Sequence, residues 1–429
     1  MERERFYRDA RRDLPGPLAG LKVLELATTW AGPMCACLLA DLGADVIKLE
    51  TPEGEIARHA PPRVPGTTVS PMHATVNRNK RSLVLDLRCA EGRELLRRLV
   101  GRTDLLVEGF RPGVLEAWGL GFEPLRALKQ DLVMVSISGY GQFGRDRGRP
   151  GYDPLAQAAA GFLSLNGEPE GEPVKAPTFL GDDLAGLHAA VAALAALRHR
   201  DLTGEGQHVD VSLFDAMLFQ TPGYLTQGAL DMELPRLGNA FRIAAPAGTW
   251  ACRDGLAMAG VLVDGHWRRL ARLLGRPELA EDPAYATAAA RIARRGAVDG
   301  LVAGWMATRT VDEAGEAFHA AGLPFAPVQS YAEAARDPRV AERDMLQPVE
   351  MEGMRIPVAG PVAKLSRTPT RVRRAAPELG AHTDDVLEEI GVDAEARRQL
   401  REAGVIGVAE SGTDVQGGPR RRARRGPQR

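Results

Sequence analysis

Two adjacent carboxylates, Asp182 and Asp183, open the apolar segment LAGLHAA, with Gly181 before them and Gly186 just after. The spacing predicts that they stand at the start of a helix. Acidic residues at such a start have an ordinary role, which is to accept backbone N–H bonds as caps. They also have a reactive one. Glycines on both sides remove side chains where a bulky ligand would approach. A carboxylate placed there can attack a thioester carbonyl, giving a mixed anhydride that the released thiolate can reopen. Helix N–H groups would favour the oxyanion, and burial among Phe179, Leu180 and Leu184 would desolvate the carboxylate and raise its nucleophilicity. The residues alone leave both roles open.

Competing chemistries find little support. His188 lies six residues beyond Asp182 on the same predicted helix and so projects from a different turn and face. His73, His208, His266 and His382 are isolated, so no metal site is expected. No serine sits in a G-x-S-x-G elbow, and no P-loop or G-x-G-x-x-G follows a strand pattern. The four cysteines are scattered and read as reduced; Cys35-x-Cys37 lacks zinc spacing. Lys48, Lys80, Arg81, Arg88 and Arg111 fall near predicted strand ends, where a cluster of cations would suit a nucleotide's phosphates.

The elements that position these residues read as α/β. LKVLEL, DVIKLE, SLVLDL, DLLVEGF and DLVMVSIS are strand-like runs separated by helical spacing, and VDVSLFDAMLFQ passes from strand to helix. This alternation predicts an open, parallel, Rossmann-like sheet whose ligands gather at the carboxyl ends of the strands. Those ends are Thr28 to Ala31, Arg88, Phe110 to Pro112, and Gly139 to Tyr140. Residues 1–227 are read as the first part of a large domain, 228–330 as a smaller α/β domain, 331–407 as a return to the large one, and 408–429 as a disordered basic tail. With 55 Lys+Arg against 56 Asp+Glu, no global field argues for nucleic acid or an anionic membrane. The charged N-terminus and the lack of any run of 18 apolar residues predict neither signal peptide nor membrane span, hence a cytoplasmic protein.

In order along the chain, VLELATTWAGP (23–33), LADLGADVIKLE (39–50), NKRSLVLDL (79–87), EGFRPGVLEAWGLG (108–121), SISGYGQ (136–142), GDDLAG (181–186), TGEGQHVDVSLFDA (203–216), GLPFAPV (322–328), DPRVAERDM (337–345) and ELGAHTDDVLEEIG (378–391) resemble the family III CoA-transferases, the formyl-CoA and carnitine (CaiB/BaiF) group. The resemblance covers roughly residues 16 to 406. It implies transfer of coenzyme A from an acyl-CoA thioester to a free carboxylic acid, with Asp182, four residues before Gly186, as nucleophile. It further implies that CoA, a substrate and not a resident cofactor, is held by Trp30, Ala31, Leu85, Arg88, Gly109, Phe110 and Tyr140. An interlocked homodimer is implied too, the 228–330 domain meeting the partner's large domain. Trp30 stands where the formyl-CoA enzymes have Gln, Ala117 where they have Arg, and Ser138 where they have Lys, which points to a larger or less polar acid than oxalate. The related 2-methylacyl-CoA racemases pair the Asp with a His in a GHD-like motif. Here Tyr152 replaces that His, and a phenol with a reference pKa of about 10 is a poor base near neutrality. A non-catalytic CoA-binding protein, with Asp182 as a cap, is the third reading.

Overall fold

Strand β1 (Lys22–Leu26) buries every residue after its first, and β4 (Leu105–Glu108) is buried throughout, a pattern that belongs to a sheet covered on both faces. The computed structural model, which describes residues 2–407, places these two strands side by side at the centre of a six-stranded sheet. Its order is β3-β2-β1-β4-β5-β6, with β2 at Asp45–Glu50, β3 at Lys80–Val84, β5 at Val133–Ser138 and β6 at His208–Ser212. All five pairings are parallel. The chain therefore winds outward in one direction from β1 and in the other from β4, and the crevice between them is the topological switch point. The predicted α/β class is the observed one. Strand β3 begins two residues before the expected SLVLDL and ends three sooner, because the chain beyond Val84 turns to meet the return segment: the Asp86 N–H donates to the Val405 carbonyl at 2.9 Å.

Two layers of helix close the sheet. On one face α1 (Ala31–Asp41) and α5 (Leu180–Thr203) pack on the central strands, contributing Cys35, Ala36, Leu39, Ala185, Ala189 and Ala193 to the core. On the other, α2 (Ala90–Val100) meets the return segment, whose α11 (Thr383–Glu389) inserts Val386 and Leu387 beside Leu83, Leu85 and Leu96. Between α2 and α5 lie α3 (Asp153–Ala159) and α4 (Phe162–Leu165), and α6 (Leu213–Phe219) and α7 (Tyr224–Ala229) follow β6. By length and composition α5 could cross a membrane, a feature the sequence reading passed over. Its small-residue face instead lies in the core of the parallel sheet. It ends at Gly204, whose φ of +77° closes the last turn in the left-handed region.

A separate antiparallel sheet is built from β7 (Ala247–Ala251), β8 (Leu256–Gly260) and β9 (Phe325–Pro327), in that order. It rests on α8 (Asp264–Leu273), α9 (Arg295–Met306) and α10 (Val311–Ala320), around Trp267, Val302 and Phe318. Strand β7, sequence AGTWA, escapes the sequence reading because its small residues carry little alternation. Strand β10 (Leu346–Met351) likewise escapes it; it forms one arm of a hairpin with β11 (Met354–Ala359), the strand expected near MRIPVAGPVAKL, and in that hairpin Pro348 and Pro357 stand opposite each other. The basic tail, 408–429, lies outside the described residues.

The β1–α1 turn depends on a missing side chain. A Cβ on Gly32 would stand 2.2 Å from the Ala27 Cβ, and one on Gly109 would stand 3.3 Å from it. Gly32→Ala should therefore lower stability by about 1–3 kcal/mol through overpacking, read as a lower melting temperature in a thermal scan; an unchanged melting temperature would contradict this packing.

Candidate active site at the switch point

Asp182 is the third residue of α5 and not its cap; that position belongs to Phe179, which supplies no side-chain acceptor. Capping is done from outside. Asp153, on α3 and 2% exposed, accepts the Gly181 N–H at 2.6 Å through Oδ1 and a Gln157 amide N–H at 2.7 Å through Oδ2. Gln157 in turn accepts the Ala176 N–H at 2.8 Å, tying down the extended approach to α5. One of the helix N–H groups expected to face an oxyanion is thus already engaged by Asp153.

Freed from capping, the Asp182 carboxylate makes no side-chain hydrogen bond among the described residues. Burial, then the neighbouring carboxylates of Asp153 and Asp183, push its pKa up to about 7. Asp183 differs. It accepts the Trp30 indole N–H at 2.5 Å through Oδ1 and the Thr178 hydroxyl at 3.4 Å through Oδ2. Burial raises its pKa too, while those two donors pull it back. Of the pair, Asp183 is structurally committed and Asp182 is the unpartnered one.

The loop after β1 reaches this helix start directly. Trp30 leans on Phe179 with ring centroids 5.6 Å apart, and Ala31, 8% exposed, opens α1. A Cβ on Gly186 would come within 2.9 Å of the Ala31 carbonyl and 3.0 Å of Met34, so α1 and α5 approach at a distance that only glycine permits. Across the switch point, Gly109 and Phe110 follow β4. The Phe110 N–H donates to Glu108 at 2.8 Å and its ring meets Trp118 edge-on at 5.5 Å. Tyr140 follows β5 and tilts toward Phe214 at 6.1 Å, its turn packed so that Gly139 touches Gly151. Trp30, Ala31, Gly109, Phe110 and Tyr140 therefore sit at the carboxyl ends of three adjacent strands. Leu85 and Arg88 lie beyond β3: the Leu85 side chain is wholly buried in the core, and Arg88 is exposed, paired with Asp86 at 2.8 Å and Glu53 at 3.1 Å.

The predicted phosphate cluster needs correction. Lys48 and Lys80 are fully buried and turn inward onto Glu25, at 2.8 and 2.7 Å. Arg81 is held by Asp45 and Glu389, both at 2.6 Å. The alternation of DVIKLE and NKRSLV looks like a half-exposed strand, and nothing in either string shows that its lysines face a buried carboxylate on β1. Asp153 and Glu108 were also missed. Glu108, 3% exposed, has its pKa pushed up to about 7 by burial, offset in part by hydrogen bonds from Ser136 and the Phe110 N–H. The tripeptide Gly151-Tyr152-Asp153 offered the only hint of Asp153, but there the Tyr152 position drew attention; Tyr152 is 61% exposed at the head of α3.

Beside the site, α4, the end of α6, α7 and residues 234–243 enclose a largely apolar cavity of about 770 Å³, with Phe162, Leu218, Tyr224, Phe241 and Arg242 in its wall. Leu218 follows Met217, which lies 3.3 Å from where a Gly181 Cβ would stand. Among the described residues no group of three His, Cys, Asp or Glu side chains is placed to hold a metal ion.

Residues 18–383 match CoA-transferase family III. The chain belongs to that family. Two relatives make the kinship concrete. The succinyl-CoA–L-malate CoA-transferase beta subunit of Chloroflexus aurantiacus is 37% identical over 91% of this chain and 98% of its own length. The succinate–glutarate CoA-transferase of Agrobacterium fabrum is 37% identical over 88% of this chain and 97% of its own. A crystal structure of a CaiB/BaiF family protein from Brucella suis superposes with a TM-score of 0.79 at 35% identity, covering 88% of this chain and all of the other. This family III enzyme is thus an acyl-CoA:carboxylate CoA-transferase, which removes the non-catalytic and racemase readings.

The raised pKa of Asp182 carries a stability consequence. Below the ordinary carboxylate range of about 4 both folded and unfolded chains are protonated there, and the stabilising contribution of the folded neutral acid is fully present. It is lost as pH rises through about 7. Asp182→Asn, a permanently neutral isostere, should melt higher than the parent by roughly 2–4 °C at pH 8 and by clearly less at pH 5, where only part of the contribution has been lost. Equal shifts at both pH values would contradict the raised pKa.

Proposed function

We propose that this transferase works through Asp182 as a covalent nucleophile, with succinyl-CoA as donor. The observation that carries the proposal is the contrast between the two carboxylates: Asp183 is held by Trp30 and Thr178, whereas Asp182, half-buried at the third residue of α5, has no such partner. An ionised carboxylate with few hydrogen bonds is a stronger nucleophile than a solvated one. Asp182 attacks the thioester carbonyl and CoA thiolate leaves, giving an acyl–aspartyl mixed anhydride. The thiolate then attacks the aspartyl carbonyl of that anhydride, forming an aspartyl-CoA thioester and freeing the donor carboxylate. The acceptor carboxylate reverses both steps, taking CoA and restoring Asp182. No proton is gained or lost over the cycle, so no general acid or base is required. Water must stay out, because it would hydrolyse either intermediate.

Support for CoA at the switch point comes from Trp30, Ala31, Gly109, Phe110 and Tyr140 at the ends of β1, β4 and β5. Leu85 can contribute only its main chain, and Arg88 must turn from Asp86 and Glu53 to reach a phosphate. The donor is inferred from relatives whose names carry succinyl-CoA or succinate. The apolar cavity favours an acceptor acid with a hydrocarbon body, with Arg242 in its wall.

We also infer a homodimer, interlocked as the family resemblance implies. Leu187 and Val191 on the outer face of α5, with Phe219, Leu230 and Ile243 nearby in sequence to the cavity wall, are between 49% and 79% exposed, a surface suited to burial by a second copy. Sedimentation should give about twice the 46.1 kDa chain mass; a monomer across micromolar concentrations would refute the assembly.

Incubation with succinyl-CoA followed by hydroxylamine or borohydride should place a label on Asp182, and Asp182→Ala should abolish both label and transfer. Because half of Asp182 is ionised near pH 7, kcat/KM should climb with pH and level off above that value. Transfer within about tenfold of the parent in Asp182→Ala would be too little loss for a covalent nucleophile.

A further inference from the structure

Beneath the loop that carries Trp30 lies a set of buried charges that the transfer chemistry does not use. Glu25 on β1 and Lys48 on β2 are neighbours in register, and Lys80 projects from β3. The side chains of Glu25, Lys48, Glu55 and Lys80 are all fully buried. Lys48 Nζ lies 2.8 Å from Glu25 and 3.2 Å from Glu55; Lys80 Nζ lies 2.7 Å from the other Glu25 oxygen. Asn77 bridges the halves, donating to Glu55 at 2.9 Å and accepting from Lys80 at 2.9 Å. His73 approaches Glu55 at 3.3 Å. Two carboxylates balance two ammonium groups. Such a set stabilises a fold weakly, since apolar side chains of the same volume would pack as well without the desolvation cost.

What apolar side chains could not do is hold the main chain above. The cluster touches the loop between β1 and α1 at two points and the first turn of α1 at a third. Lys48 donates to the Ala27 carbonyl at 2.9 Å, Lys80 donates to the Pro33 carbonyl at 2.9 Å, and Glu55 accepts the Thr29 N–H at 2.9 Å. Thr29 is the strained point. Its φ is +72°, a left-handed conformation that a β-branched residue avoids. The next residue is Trp30, whose indole N–H reaches Asp183 at 2.5 Å, and Asp183 adjoins Asp182.

We propose that Glu55 is a positioning residue for CoA transfer: by accepting the Thr29 N–H it holds Thr29 in its left-handed conformation, and so seats Trp30 on Asp183 and fixes the start of α5 where Asp182 reacts. The inference rests on Asp182 being the reacting group. Although burial works against ionisation of Glu55, Lys48 and the hydrogen bonds from His73 and the Thr29 N–H outweigh it and hold the carboxyl well below its usual range, so the acceptor is charged throughout the working pH range. A charged acceptor makes the stronger bond needed to offset the backbone strain.

The test is a rescue. Glu55→Gln should lower kcat for succinyl-CoA-dependent transfer by about tenfold or more, the scale expected when a reacting group is displaced by a fraction of an ångström to an ångström. Thr29→Gly added to Glu55→Gln should restore kcat to within about threefold of the parent, because glycine takes φ near +72° without a steric cost. A lesion that acts only by unbalancing the buried charges gains nothing from that glycine. Unaltered kcat in Glu55→Gln, or a loss that Thr29→Gly leaves in place, overturns the proposal. If Glu55→Gln does not fold, Thr29→Pro removes the donor and sets φ near −65° while sparing the charges. It should lose kcat to a similar degree, and full activity in that variant overturns the proposal equally. The Trp30 indole N–H resonance reads the same seating without turnover: it should shift in Glu55→Gln and return in the double variant. A parent protein that transfers no CoA sinks the Asp182 reaction, whereas an indole resonance unmoved by Glu55→Gln sinks the positioning role alone.

Discussion

The close contact of α1 with α5 is the constraint from which the site's geometry follows. Gly186 brings the Ala31 carbonyl and Met34 against the second turn of α5, closer than any side chain would allow. That approach sets the beginning of α1 beside the beginning of α5, although some 150 residues separate them in the chain. Gly32 and Gly109, both crowding Ala27, repeat the device on the sheet side. Precision is obtained here by omission: each glycine lets its own backbone meet a carbonyl or a single methyl group directly, with no flexible side chain between them.

Two carboxylates near this junction show how environment assigns roles to one functional group. Asp182 is half-buried and Glu55 fully buried, and in both burial works to raise the pKa. For Asp182 the nearest charges are Asp153 and Asp183, which add to the desolvation penalty. For Glu55 they are Lys48 and hydrogen-bond donors, which reverse it. The first is left poised between protonation states near neutrality; the second is a fixed anion. Asp153 completes the contrast by spending both oxygens on N–H donors of Gly181 and Gln157, so that α5 is capped without drawing on Asp182.

Much of this was legible in the sequence. The alternation of apolar runs and helical spacing gave the parallel sheet, and the carboxyl ends of its strands gave Trp30, Ala31, Phe110 and Tyr140 as one neighbourhood, to which the family resemblance added Gly109. Identification of Asp182 over Asp183 came from the family resemblance, since the two are equivalent in a string that reads GDDLAG. What stayed hidden has a common physical cause. Lys48 and Lys80 look like surface cations until the register of β1, β2 and β3 turns them onto Glu25. Asp153 serves a helix that begins 27 residues later (180 − 153). Strand β7 is too poor in large side chains to alternate, and β10 contains a proline, which a strand tolerates chiefly at a sheet edge. Local pattern carries element type; long-range pairing of charges is written nowhere in it.

A protein that handles activated thioesters also carries nucleophiles of its own, and a cysteine thiolate near bound acyl-CoA would exchange with it and poison the catalyst. Cys35 and Cys37 lie on α1, only a turn or so past Ala31, yet both are fully buried and burial pushes their thiols up to about 12. At neutral pH almost none of either is thiolate. The same dense packing that brings α1 against the sheet therefore silences sulfur at this end of the fold, a condition that the proposed capture of an acyl chain by an Asp182 oxygen needs.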